Sequence, residues 1–276
     1  MKKITLFTLL LCSIITFAQK KEKIKGSKII TVSVKELEPY ENIEIEDNLE
    51  IFLVKGDSPT LEIEADDNLH DAINYSVMGN TLRITSQKEV ISAKKFSIRV
   101  NYNNNLKLVS VKGEAKLHAL AAIELENITI KNYDRSASYL NADCNFFTLI
   151  LNDKAEAELN LKAQNTILEL SKDSELKALV ASPEVKLDMY QNSDARIEGD
   201  AENVKMRIDN SSFLAASKFT TKSLDLTIEG YAKSEVNVVN DITISAAGKS
   251  EIRLFGEPQI EITKFTNTTT LYKKEL

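Results

Sequence analysis

Leu149-Ile150-Leu151-Asn152-Asp153-Lys154-Ala155 returns nineteen residues later as Leu168-Glu169-Leu170-Ser171-Lys172-Asp173-Ser174, and nineteen later again as Leu187-Asp188-Met189-Tyr190-Gln191-Asn192-Ser193. The phrase is two apolar residues in alternation, three polar residues and a small one. Met206 to Ser212, Leu226 to Ala232 and Ile244 to Ser250 continue it, and Val109 to Ala115 and Ile128 to Asp134 precede it. With the second apolar residue as anchor, the series reads Val111, Ile130, Leu151, Leu170, Met189, Ile208, Ile228, Ala246, in steps of 19, 21, 19, 19, 19, 20 and 18. A period of this size, held over eight copies, is the mark of a repeat architecture.

The columns carry the physics. Residues two apart point the same way from a strand, so Leu168/Leu170 and Leu226/Ile228 are inward pairs. Four residues after the anchor stand Ala115, Asp134, Ala155, Ser174, Ser193, Ser212, Ala232 and Ser250, small as a tight corner requires. A second inward pair follows, as in Leu159/Leu161, Val236/Val238 and Ile252/Leu254. Seven residues before the anchor come Cys144, Ala163, Ser182, Ala201, Thr221 and Val239, which reads Cys144 as a buried packing residue rather than a reactive thiol. Two or three short strands per nineteen residues make one coil of an all-β, single-stranded parallel β-helix, a β-solenoid. The alternative, a four-stranded propeller blade from each two copies, needs hairpin turns rich in Gly, and the chain holds eight glycines in all.

Outside the repeat the reading is looser. Residues 39–105 alternate as strands without the nineteen-residue beat, which makes them an irregular N-terminal β cap over an otherwise open end. Gly79-Asn80 between Tyr75-Ser76-Val77 and Leu82-Arg83-Ile84 signals a hairpin, and Asn68 to Ile73 reads as a short helix capped by Asn68 or an acidic loop. The domain plan is thus a leader (1–18), an N-terminal linker (19–38), a solenoid domain (39–265, with coils from 106) and a polar, frayed tail (266–276).

Lys2-Lys3, an apolar run from Ile4 to Phe17 and Thr16-Phe17-Ala18 before Gln19 read as a signal peptide cleaved at Ala18/Gln19. Leu11 before Cys12 argues against a lipoprotein. Export to the periplasm or to the outer-membrane or cell surface follows, and no later apolar run is long enough to span a bilayer. Losing the leader moves the formal charge from −6 to −8, which argues against nucleic acid or an anionic membrane as partner. Cys144 is then the one cysteine left, so no internal disulfide is available.

Tyr40-Glu41-Asn42-Ile43-Glu44-Ile45, Leu61-Glu62-Ile63-Glu64-Ala65 with Asp67-Asn68-Leu69, Leu82-Arg83-Ile84, the small-residue corners, and Ile252-Arg253-Leu254-Phe255-Gly256-Glu257-Pro258 occur in that order over about residues 39–263. In this the chain resembles the "putative auto-transporter adhesin, head GIN domain" family common in secreted proteins of Bacteroidetes. The resemblance implies a right-handed β-helix and an envelope location. It brings no catalytic residues.

No Cys cluster, phosphate loop or nucleophile elbow is present, and no catalytic, cofactor-binding or metal-binding residue is expected. His70 and His118 read as solvated histidines, and Asp66-Asp67-Asn68 with His70-Asp71 as a solvated acidic turn rather than a Ca²⁺ loop. Tyr133, Tyr190 and Tyr231 fall in corner turns, where they would form an aromatic stripe for sugars if they aligned. The evenness of the steps leaves no coil room for the long loops that wall a polysaccharide-cleaving site. The expectation is a non-enzymatic envelope module binding glycan or an envelope protein, with a structural or signalling-complex role as the alternative and a polysaccharide-acting enzyme last.

Overall fold

Leu151 lies beside Leu170, Leu170 beside Met189, Met189 beside Ile208, and Ile208 beside Ile228, all in parallel register. The computed structural model, which describes residues 21–275, is a β-solenoid of about nine turns. The expected leader and its cleavage site lie outside the described residues.

The N-terminal strands are β1 (Lys23–Lys25), β2 (Ile30–Glu36), β3 (Asn42–Ile45), β4 (Glu50–Lys55), β5 (Thr60–Asp66), β6 (Ile73–Met78), β7 (Thr81–Ser86), β8 (Glu89–Ile91) and β9 (Phe96–Tyr102). The coils follow as β10 (Leu108–Val111), β11 (Lys116–Asn132), β12 (Ala137–Leu151), β13 (Glu156–Leu170), β14 (Glu175–Ala181), β15 (Glu184–Met189), β16 (Asp194–Ile208), β17 (Phe213–Ile228), β18 (Lys233–Ala246), β19 (Glu251–Phe255), β20 (Gln259–Phe265) and β21 (Thr270–Lys273).

One anchor differs from the sequence reading. Val111 pairs with Asn132, not with Ile130, and Asn132 in turn pairs with Leu151. The first two steps are therefore 21 and 19. A polar residue occupies an inward slot there, which is why alternation of apolar residues misplaced it. Asn132 is fully buried and satisfied: its Nδ2 donates to Ser136 Oγ at 3.1 Å, and Ser138 Oγ donates to its Oδ1 at 2.9 Å. The corner column gains from the correction. Ser136 replaces Asp134, so every corner from Ala115 to Ser250 is small and buried. At the other end of the coil column the slot given to Val239 belongs to Val238, which pairs with Thr221 and is fully buried, while Val239 is half exposed.

Two residues after each inward anchor the backbone turns left-handed, at Asp47, Gly113, Asp134, Asp153, Lys172, Gln191, Asn210, Gly230, Gly248 and Asn267, with φ between 60° and 84°. This column explains how the chain corners with so few glycines. Asp, Asn and Gly tolerate that conformation best, and all ten turns are stacked, each bonded to the next, as where Lys154 N–H donates to Asp134 O and Asp173 N–H to Asp153 O.

The cap continues the stack before it departs from it. β3 and β4 pair in parallel with β10 and β11, and β7 and β9 pair in parallel with β3 and β4. Only then does the direction reverse, with β5 antiparallel to β9 and β2 antiparallel to β5. The hairpin at Gly79-Asn80 is present between β6 and β7.

Three expected loose segments are structured. Residues 19–38, read as a linker, carry β1 and β2, which pair with β8 and β5. The tail carries β21, which pairs with β19. In β2 Ile30, Val32 and Val34 alternate but stay exposed rather than entering the core, and β21 is short and polar. The acidic segment forms a 3₁₀ helix, Asp67–Ala72, whose N-cap is Asp66 rather than Asn68. Asp66 is not solvated. It is fully buried, and its carboxylate accepts the backbone N–H groups of Lys28, Lys94 and Lys95 at 2.9 to 3.1 Å. Asn68 adds bonds to Lys25 O and from Ser27 N–H. The turn considered for Ca²⁺ thus docks the N-terminal arm.

Candidate surface groove

Along each coil the residues seven and nine after the anchor point outward and the residue between them points inward. Stacking turns these columns into two parallel walls with a backbone floor. One wall is Tyr139, Glu158, Lys177 and Arg196, in register across β12, β13, β14 and β16. The other is Asn141, Asn160, Leu179 and Glu198, extended at one end by Leu120. Between them Ala119, Leu140, Leu159 and Ala178 form the floor of a groove of about 520 Å³. At about 4.8 Å per coil, four rungs make it roughly 15–20 Å long.

The ends of the groove coincide with two of the irregularities in the beat. β11 bulges between Ala119 and Ile123, which leaves Leu120 73% exposed. Asn141 Nδ2 caps that bulge by donating to Ala119 O and Leu120 O at 3.2 and 3.0 Å. At the far end β16 and β17 slip past one another between Arg196 and Gly199. Asn160 Nδ2 donates to Asn141 Oδ1 at 3.3 Å, so the two amides form a short ladder along one wall. Leu179, 52% exposed, follows them. An outward leucine among polar neighbours is the signal that sequence reading passed over.

Tyr139 is held rigidly. Its ring stacks on His118 at 4.9 Å, and His118 stacks on Phe52 at 4.8 Å. His118 is therefore not a solvated histidine: it is the middle ring of a three-coil aromatic stack, with Nε2 3.1 Å from Glu50 Oε1. His70 is engaged as well, its Nε2 2.8 Å from Thr31 Oγ1.

Tyr133, Tyr190 and Tyr231 do not align into a stripe. On the corrected register Tyr133 and Tyr190 are each one residue past their anchors but three coils apart, and Tyr231 is three past its own. Other hollows of similar volume exist, in which Arg253, Lys112 and Lys55 face neighbouring carboxylates. Beside Tyr231, Arg253 bridges Glu235 and Glu251 at 3.0 and 2.9 Å. In the groove Lys177 lies 3.4 Å from Glu175, whereas Glu158 and Arg196 have no ion-pair partner among the described residues, and both are exposed. Cys144 is buried, and burial pushes its thiol pKa up to about 11, as a packing residue requires.

Among the described residues no helix is long and apolar enough to cross a membrane. A family profile described as "Putative auto-transporter adhesin, head GIN domain" matches residues 39–258. No curated protein matches the chain. Among solved structures, a "putative adhesin" from Parabacteroides distasonis is 18% identical with a TM-score of 0.64, covering 92% of this chain and 100% of that one. A "putative adhesin" from Parabacteroides merdae is 17% identical with a TM-score of 0.62, covering 92% and 99%. A "putative lipid binding protein" from Parabacteroides distasonis is 16% identical with a TM-score of 0.58, covering 92% and 100%. At these identities the likeness is one of fold.

Proposed function

This chain belongs to the "Putative auto-transporter adhesin, head GIN domain" family, and from that premise we propose that it is an exported, non-enzymatic cell-envelope or surface module that holds an extended glycan along the groove. The observation that carries the reading is the pairing of a fixed aromatic ring, Tyr139, with the Asn141–Asn160 amide ladder across a straight, open trough. A sugar chain presents apolar ring faces and hydroxyl edges together, and such a trough meets both: the ring face packs on tyrosine and leucine, and the hydroxyls meet amide, carboxylate and guanidinium groups. Export rests on the leader, residues 1–18.

Catalysis is a poor fit to this geometry. Glu158 and Glu198 stand on opposite walls and two rungs apart, which is roughly 10 Å along the axis alone. The carboxyl pairs of glycosidic hydrolysis stand about 5 to 9.5 Å apart.

A glycan array with the purified protein tests the reading. A bound class of glycan is expected, with affinity falling about tenfold in Tyr139→Ala and holding in Tyr231→Ala. No glycan bound, or an equal loss from Tyr231→Ala, would sink it. An envelope protein captured through the same groove residues would replace glycan by a protein partner.

A further inference from the structure

The two ends of the strand ladder are both sheet edges, and they are finished differently. At the N-terminal edge β2 turns Thr31, Ser33 and Lys35 toward the interior side, opposite Ala65, Ile63 and Leu61. The inner row of that edge is polar, while Ile30, Val32 and Val34 stand exposed on the other row. At the C-terminal edge the inward residues of β20 are Ile260, Ile262 and Phe265, 43%, 48% and 42% exposed, one rung beyond the fully buried Ile242, Ile244 and Ala246. β20 pairs with β18 on one side, and among the described residues no strand pairs with its other side.

We propose that this edge is covered by the same edge of a second copy of the chain, antiparallel across a two-fold axis between Ile262 and Thr263. A bulge makes the edge self-complementary. Thr263 is the extra residue between the pairs Ile244–Ile262 and Ser245–Lys264, and its Oγ1 donates to Ile244 O at 3.2 Å. It shifts the alternation so that Ile260, Ile262 and Phe265 lie on the inner row while Glu261 and Lys264 lie on the outer one.

A two-fold axis at that point sets Ile260 against Phe265 and Glu261 against Lys264, each contact occurring twice. Sliding the register by one residue puts inner residues against outer ones and separates the charges, so the bulge selects one alignment. Such an isologous contact closes as a dimer. In the single chain Lys264 also lies 3.4 Å from Glu229, close enough to be shared between the two carboxylates.

Sedimentation velocity on the purified protein tests the proposal, with circular dichroism to establish that each variant is folded. The wild type is expected at twice the chain mass in the micromolar range. Glu261→Lys and Lys264→Glu each set like charges across the axis and are expected to weaken the dimer about tenfold or more, and the double exchange to restore it. A monomer at every concentration, or a dimer indifferent to both single changes, would overturn it.

Discussion

Gly199→Ala is expected to destabilise the solenoid by roughly 3 kcal/mol or more, the sum of a disallowed backbone conformation and a steric overlap. Gly199 lies inside β16 at φ 114°, a region that side chains rarely adopt, and a Cβ built there would stand 2.1 Å from Val180 O and 2.9 Å from Val180 C. Val180 is its register partner in the coil before. Relief would require parting two hydrogen-bonded rungs at the point where β16 and β17 already slip. Because neighbouring coils supply most of each coil's contacts, the defect should spread along the stack rather than stay local. Thermal melting checks this, with Gly79→Ala as control. Gly79 also has positive φ, but open space surrounds its Cβ position, so only the backbone preference of about 1–2 kcal/mol is lost.

Asp66→Asn is expected to release the N-terminal arm while leaving the coils folded. Three backbone N–H groups from two separate segments converge on this carboxylate. An asparagine of the same shape would bring its own donors against them and carry no charge. Amide exchange in β2 should then quicken about 100-fold, with β12 to β17 unchanged. The wild type should show the same event in acid. Burial acts to raise the Asp66 pKa, but the N–H groups of Lys94, Lys28 and Lys95 and the charge of Lys28 outweigh it and hold the carboxyl below its ordinary range. A depressed carboxyl contributes fully above the unfolded value of about 3.9 and loses that contribution as pH falls through the folded value. Arm release below about pH 4, ahead of unfolding of the coils, is the expected order. Exchange in β2 that stays as slow in Asp66→Asn as in the wild type would contradict the latch.

How much of this was legible in the residues follows from what each column demands. Inward pairs such as Leu168/Leu170 and corners such as Ser174 and Ser193 are fixed by burial and by space, so they recur and can be read. Asn132 broke that reading because a buried network of Ser136 and Ser138 lets an amide stand where an apolar residue was expected. The arm at β1 and β2 was harder to place because it is held by the Asp66 carboxylate and by backbone pairing, while its alternating Ile30, Val32 and Val34 stay exposed and join no repeat. The groove was harder still. Regular steps leave no room for long loops, yet the steps of 21 and 20 are the bulges at its two ends. A trough between outward columns needs only four rungs in register and a leucine at an outward slot. Its aromatic residue, Tyr139, could not be assigned to a column until Asn132 had been given its place.

The claim that the groove is the binding surface is tested most directly by hydrogen–deuterium exchange of the protein with and without a bound glycan from the array. Protection is expected at Tyr139 to Asn141, Glu158 to Asn160 and Lys177 to Leu179, three segments nineteen residues apart that share one face of the stack. Protection confined to the corner turns around Tyr190 and Tyr231, or spread over no common face, would contradict it.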